Sequence, residues 1–235
     1  MLCEHRSEFG VKLAIFVNRN IAWKITTMKN GNRSLNFSRR DLLQLGAGAT
    51  VAGLITGLAD TAEARVETRP IPSSGEALPV IGLGTSRVFD IGQSAAERDT
   101  CRKVLEELIG AGASVVDSSP MYRRAEEVSG DLAADLGYTD RIFWATKVWT
   151  DGQESGVDQM NESMRLFRTD QIDLMQIHNL RDWEVHIETL RDWKEQEKIR
   201  YIGITHSRTR AFDTLEKVIE ETELDFLQRV KRAGS

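Results

Sequence analysis

The chain has 235 residues, 40% hydrophobic and 29% charged, enough for one domain with a sizeable core. Its formal net charge is −5 and it holds no basic block, so no nucleic-acid partner is expected. Cys3 and Cys101, with His5, His178, His186 and His206, form no CxxC or HExxH pattern, so no metal site is expected.

Charge divides the chain near Ala64. Residues 1–64 carry 8 Lys/Arg against 5 Asp/Glu, a net of +3, and the remainder has a net of −8. Within the basic part, Ser38-Arg39-Arg40-Asp41-Leu42-Leu43 leads into an apolar run from Leu42 to Ala59, followed by Ala62-Glu63-Ala64. A basic start, a weakly apolar middle and a small-x-small site describe an export signal. The paired arginines make it similar to a twin-arginine signal. Gly46, Gly48, Gly53 and Gly57 would each cost a helix about 1 kcal/mol. The run is also short for a permanent span, and no membrane partner is expected. Met28 offers a start within a normal basic region. The expected organisation is therefore an upstream extension over 1–27, a signal over 28–64, a folded domain over 65–228 and an unpatterned basic tail over 229–235. Cleavage after Ala64 would leave Cys101 as the single cysteine, which suits folding in the cytoplasm before export to the periplasm.

After an irregular lead-in over 65–78, the stretch from Leu78 to Thr85 reads as a short apolar strand ending in glycines. Residues 94–111 read as a helix with Cys101, Val104, Leu105, Leu108 and Ile109 on one face. A strand at Val115-Val116 follows. Residues 124–136 carry Val128, Leu132 and Leu136 at helical spacing, with Gly137 as the stop. The cycle then repeats. A strand ends at Lys147, and a helix over 154–167 carries Val157, Met160, Met164 and Phe167. A strand ends at His178, and a helix over 183–196 carries Trp183, Ile187, Leu190 and Trp193. A strand ends near Thr205, and a helix capped by Ser207 or Thr209 carries Phe212, Leu215, Val218 and Ile219. A last strand covers Leu224 to Gln228. Strict alternation with short loops implies parallel strands and right-handed crossovers. The expected class is α/β, a (β/α)8 TIM-barrel type that is incomplete, with about six of the eight βα units.

The ends of consecutive strands carry the chemistry. Asp117, Tyr122, Lys147 and His178 stand where a barrel of this type places reacting groups. A tyrosine donates a proton to a carbonyl oxygen only if its pKa, about 10 in water, is brought down. A nearby ammonium does this, and a carboxylate holds that ammonium in place. A histidine orients the carbonyl or assists the proton transfer. The set suits protonation of a carbonyl oxygen while hydride arrives from elsewhere. Singly, a strand-end Asp, Lys or His is ordinarily a turn or solvated group. Four in order, on consecutive units, carry more weight.

Over residues ~71–228 the chain resembles the aldo-keto reductase family. The resemblance rests on Val80-Ile81-Gly82-Leu83-Gly84-Thr85, Asp117-Ser118-Ser119-Pro120-Met121-Tyr122, Ala145-Thr146-Lys147, Asp173-Leu174-Met175-Gln176-Ile177-His178, Ile199-Arg200-Tyr201-Ile202-Gly203-Ile204 and Asp225-Phe226-Leu227-Gln228. It implies NADPH-dependent reduction of a small aldehyde or ketone without metal, NADH not being distinguished from NADPH. It implies that Asp117, Tyr122, Lys147 and His178 form a catalytic tetrad with Tyr122 as general acid. It places Thr205, His206 and Gln228 near the nicotinamide carboxamide, and Trp149 in the wall of the substrate pocket. The family usually has Ser-Asn where Thr205-His206 stand.

Two further departures are Arg123 and Glu197, which stand where the family has glycine. A glycine at such a place implies a positive-φ backbone, so strain is expected at both. The sequence also stops where the family's last two units would supply most of the pyrophosphate and adenosine contacts. The expectation is a truncated copy and a monomer, or an oligomer if a second chain completes the barrel. The alternative function is a catalytically inactive remnant or a cofactor-independent binding module.

Overall fold

A computed structural model of the chain describes residues 12–14, 66–206 and 211–229. The expected export signal, the candidate caps Ser207 and Thr209, and the tail beyond Arg229 lie outside the described residues. Among the described residues no helix is long and apolar enough to cross a membrane.

The first of the described elements is the short strand β1 (Lys12–Ala14). A hairpin of β2 (Thr68–Pro70) and β3 (Ala77–Pro79) comes next. Then follow β4 (Gly82–Gly84), α1 (Ala95–Gly110), β5 (Val115–Asp117), α2 (Ala125–Asp135), β6 (Phe143–Val148) and α3 (Gln153–Phe167). β7 (Ile172–His178), α4 (Trp183–Glu195), β8 (Ile199–His206), α5 (Phe212–Glu221) and β9 (Phe226–Arg229) complete the order. Strands β4 to β9 lie side by side in sequence order and all five of their pairings are parallel. β1 pairs antiparallel on the outer side of β4. The six parallel strands and five intervening helices match the sequence expectation.

Two expectations are corrected. The strand expected from Leu78 to Thr85 is two strands, broken at Val80 and Ile81, and its first part closes a hairpin rather than lining the sheet. The lead-in over 65–78 is the rest of that hairpin, not irregular. The sequence shows no clean alternation there because Pro70, Pro72 and Pro79 break it. Also, β9 continues to Arg229, one residue into the expected tail.

Alternation along each strand sorts side chains into two cores. Ile71 and Leu78 of the hairpin pack with Val115, Phe143, Ala145, Leu174, Tyr201 and Phe226 on the concave face. Phe143, Tyr201 and Phe226 pack together with ring centroids 5.6 to 6.3 Å apart, flooring the amino-terminal end of the sheet. The convex face buries Val116, Trp144, Met175, Ile177, Ile202 and Ile204 against the apolar stripes of the helices. α1 is capped by Ser94, which accepts from the Glu97 amide. α2 ends with Gly137 at φ 67°, the expected stop.

Arg123 and Glu197 both adopt φ 57°. The positive-φ backbone implied by the missing glycines is present at both places, occupied by side chains that the conformation disfavours.

Candidate active site

The carboxyl ends of the parallel strands converge on Asp117, the last residue of β5 and 4% exposed. Its Oδ1 accepts from Lys147 Nζ at 2.8 Å and from Gln176 Nε2 at 3.3 Å, and its Oδ2 from Gln228 Nε2 at 3.4 Å. One carboxylate is thus shared by donors on β6, β7 and β9. Lys147 is 2% exposed and also donates to the Ser118 carbonyl at 2.5 Å. Gly203 leaves room for this packing: a Cβ there would lie 3.0 Å from Gln176 Cγ and 3.1 Å from Phe226 Cβ.

Tyr122 comes from the loop after β5. Ser119 accepts from the Met121 amide, Pro120 sits at the start of a single turn over Pro120–Tyr122, and the turn sets the Tyr122 ring over the ammonium. Lys147 Nζ is 5.5 Å from the ring centroid. His178 closes β7 with Nδ1 3.2 Å from Ser119 Oγ. The Trp149 ring lies 6.2 Å from the His178 ring, half-buried, with the Arg181 guanidinium 5.1 Å over it. Thr205 is buried and pairs in register with His178 on one side and Gln228 on the other. His206 follows it at the rim, half-buried.

The electrostatics follow from burial. Burial alone would lower the Lys147 ammonium, but the Asp117 and Tyr122 charges, the Asp117 hydrogen bond and Glu126 outweigh it and hold Lys147 above its usual value. Burial and the neighbouring Lys147 and His206 charges push His178 down to about 3, so its ring is neutral at neutral pH. For Tyr122, burial pushes the phenol up, Lys147 pulls it down and Asp117 pushes it up, leaving it above its ordinary value. The expectation that the lysine brings the phenol down is corrected to that extent: the pull exists and burial exceeds it.

The structure joins Asp117, Lys147 and Gln228 in one hydrogen-bonded cluster with Tyr122 over the ammonium, sets Trp149 beside His178, places Thr205 in register between His178 and Gln228, and adds further residues. Gln176 faces inward with His178 because the two are two apart on one strand, a signal present in the alternation of β7. Ser119 orients the His178 ring from within the Asp117–Tyr122 segment. Gln176 Oε1, Gln228 Oε1 and Asn179 Oδ1 are buried without a hydrogen-bond partner among the described residues. Such orphaned acceptors suit a ligand carrying an amide NH2 group. Arg123, next to Tyr122 in the chain, points its charge away into solvent. Its side chain is 82% exposed and reaches Asp90 at 3.5 Å.

A cavity of about 540 Å³ at the opposite end of the sheet is lined by Ser74, Lys194, Arg200, Tyr201 and Asp225 among others. Its cations are paired, Lys194 with Asp225 at 2.7 Å and Arg200 with Asp173 at 2.6 Å, so the uncommitted chemistry stays at the carboxyl ends.

Comparison with known proteins bears on this site. Curated relatives include the Aldo-keto reductase YhdN of Bacillus subtilis, 25% identical over 168 residues, covering 65% of this chain and 51% of that protein. The Methylglyoxal reductase YeaE of Escherichia coli is 30% identical over 118 residues, covering 48% of this chain and 40% of that one. The chain thus spans about half the length of the curated relatives it matches. Among solved structures, an aldo-keto reductase from Klebsiella pneumoniae in complex with NADPH superposes with a TM-score of 0.52 at 27% identity, covering 65% of this chain and 54% of that one. The holo form of aldo-keto reductase AKR11C1 from Bacillus halodurans superposes with a TM-score of 0.59 at 21% identity, covering 71% and 58%, a likeness of fold. The model of the Aldo/keto reductase family matches residues 80–229, β4 through β9 with every site residue above, and the chain belongs to that family.

Proposed function

We propose that the chain carries the site of an NADPH-dependent oxidoreductase that reduces an aldehyde or ketone to an alcohol, with Tyr122 as general acid. The observation that carries the reading is the buried Lys147–Asp117 pair beneath the Tyr122 ring. A neutral His178, its Nδ1 accepting from Ser119 Oγ, can donate its Nε2 hydrogen to a carbonyl oxygen without adding charge. As the oxygen gains negative charge it takes the phenol proton, and Lys147 stabilises the phenolate left behind. Asp117 keeps the ammonium charged and in place through that step. Bound NADPH would supply the hydride that reaches the carbonyl carbon, so one hydride and one proton convert the carbonyl to an alcohol. The amide oxygens of Gln176, Gln228 and Asn179 fit the carboxamide NH2 of a nicotinamide, with Thr205 and His206 beside them. Trp149 offers an apolar wall to the substrate.

NADPH oxidation, followed by absorbance with a panel of small carbonyl compounds that includes methylglyoxal, tests this. Turnover is expected, with a loss of at least about 100-fold in Tyr122→Phe. Equal rates in both proteins would sink the assignment of the acid. A second reading, a chain that keeps the pocket without turnover, draws on the sheet being open at β9 among the described residues. NADPH quenching of tryptophan fluorescence without any oxidation would favour it. For residues 28–64 we propose the twin-arginine export signal described above. Fusing them to a reporter should carry it to the periplasm, and loss of export in the Arg39→Lys, Arg40→Lys pair is expected.

A further inference from the structure

Glu126 is a buried carboxyl that the mechanism leaves unused. It is 1% exposed, in the first turn of α2, four residues after Tyr122. A carboxylate in that place on a surface helix ordinarily faces water. Here it turns inward between the helices and the sheet. Its Oε1 accepts from Thr146 Oγ1 at 2.5 Å and from Ser163 Oγ at 3.1 Å. Thr146 is the residue before Lys147 on β6. Because side chains alternate on a strand, Thr146 points to the convex face and Lys147 to the concave one. The two ends of the Tyr122–Lys147 contact are therefore each close to Glu126 along the chain, one in the turn just before α2 and one beside Thr146 on β6. Ser163 adds a third anchor on α3.

We propose that Glu126 is a positioning residue for the proton-transfer pair: it ties the turn that carries Tyr122 to the strand that carries Lys147, and so sets the phenol against the ammonium. The proposal rests on the reading of Tyr122 as the acid. The charges facing Glu126 are Lys147 from β6 and Glu162 from α3, the first attracting and the second opposing its ionised form. Glu126 in turn helps keep Lys147 charged. The tether acts through geometry and through this field, and both point to the same pair.

The test separates geometry from folding and from turnover. Tyrosine ionisation is followed by ultraviolet absorbance well below the melting temperature, and the Tyr122 part is isolated by subtracting Tyr122→Phe in each background. In Glu126→Ala the Tyr122 phenol is expected to ionise at a pH higher by at least about half a unit, because Lys147 no longer sits close enough to pull it down. Glu126→Gln retains an acceptor for Thr146 and Ser163 and is expected to restore most of the difference. In turnover, Glu126→Ala is expected to lose about 10-fold in kcat with KM for the carbonyl within about 3-fold. If Glu126→Ala does not fold, Thr146→Val removes the donor on β6 alone and should move the ionisation in the same direction. An unchanged Tyr122 ionisation in folded Glu126→Ala, or in Thr146→Val, overturns the proposal. A shifted ionisation in a protein whose parent shows no turnover supports the tether and instead removes the catalytic reading on which it rests.

Discussion

Substituting Glu126→Gln changes charge without shape, and its effect on stability can be worked from the site. Burial, opposed by hydrogen bonds from Thr146 and Ser163, pushes the Glu126 carboxyl up from 4.5 to about 7. The folded protein then binds a proton that the unfolded chain releases over that interval. Stability falls as pH rises from about 4.5 to about 7, by about 1.4 kcal/mol per pH unit. The ionised carboxylate thus costs about 3 kcal/mol at pH 8 as an upper bound. Glutamine titrates nowhere in this range. The measured difference, Glu126→Gln minus parent, should be flat below pH 4.5, climb in favour of the variant, and level off above about pH 7. Urea unfolding at a series of pH values gives it directly, and every group the two proteins share cancels in the difference. A difference that does not change with pH would refute the reasoning. His178 runs the other way. Held down to about 3, it binds its proton only in the unfolded chain between about 3 and 6.5, so its contribution is complete above pH 6.5 and is lost as pH falls. The two slopes oppose each other from pH 4.5 to 6.5, and removing Glu126 should expose a stability rising with pH across that window.

Asp117→Asn leaves the Lys147 ammonium buried without its counter-charge and should cost on the order of 3–5 kcal/mol by urea unfolding. Lys147→Met should cost less, because Asp117 keeps the Gln176 and Gln228 amides; the reverse order would refute the pairing as drawn. Gly130→Ala would put a Cβ 2.0 Å from the Leu166 carbonyl oxygen and 2.7 Å from Phe167 Cα. Both are backbone atoms, so α2 and α3 must separate, with an expected loss on the order of 3 kcal/mol and a lower melting temperature. Arg123→Gly and Glu197→Gly should each raise stability by about 0.5–1 kcal/mol, the relief of positive φ less the entropy glycine adds to the unfolded chain. Falling melting temperatures in both would contradict the strain.

What the sequence disclosed, it disclosed through period and position. The stripes on Leu105, Leu132, Phe167 and Leu190 placed the helices to within a residue or two at each end, because each face must meet one sheet. Asp117, Lys147 and His178 were visible as polar interruptions at the ends of apolar strands. The hairpin at Thr68–Pro79 was not, since prolines mask its alternation and its partner is itself. Gln176 lay hidden in an apolar strand although its parity with His178 announces it. Glu126 could not be found from pattern alone: a glutamate in a first helical turn signals solvent, and only packing shows it facing Thr146.

The sharing of Asp117 among donors from β6, β7 and β9 has a consequence for how damage shows itself. Each donor reaches the carboxylate only if its strand is in the right register, since a slip by one residue sends every side chain of that strand to the opposite face. The cluster therefore reports on three strand alignments at once, and it does so in a binary manner. Variants far from the mouth that disturb any of these alignments should lose the Asp117 cluster outright rather than weaken it by degrees. A population of damaged chains would then titrate as a mixture of intact and silent molecules, not as one species of intermediate acidity.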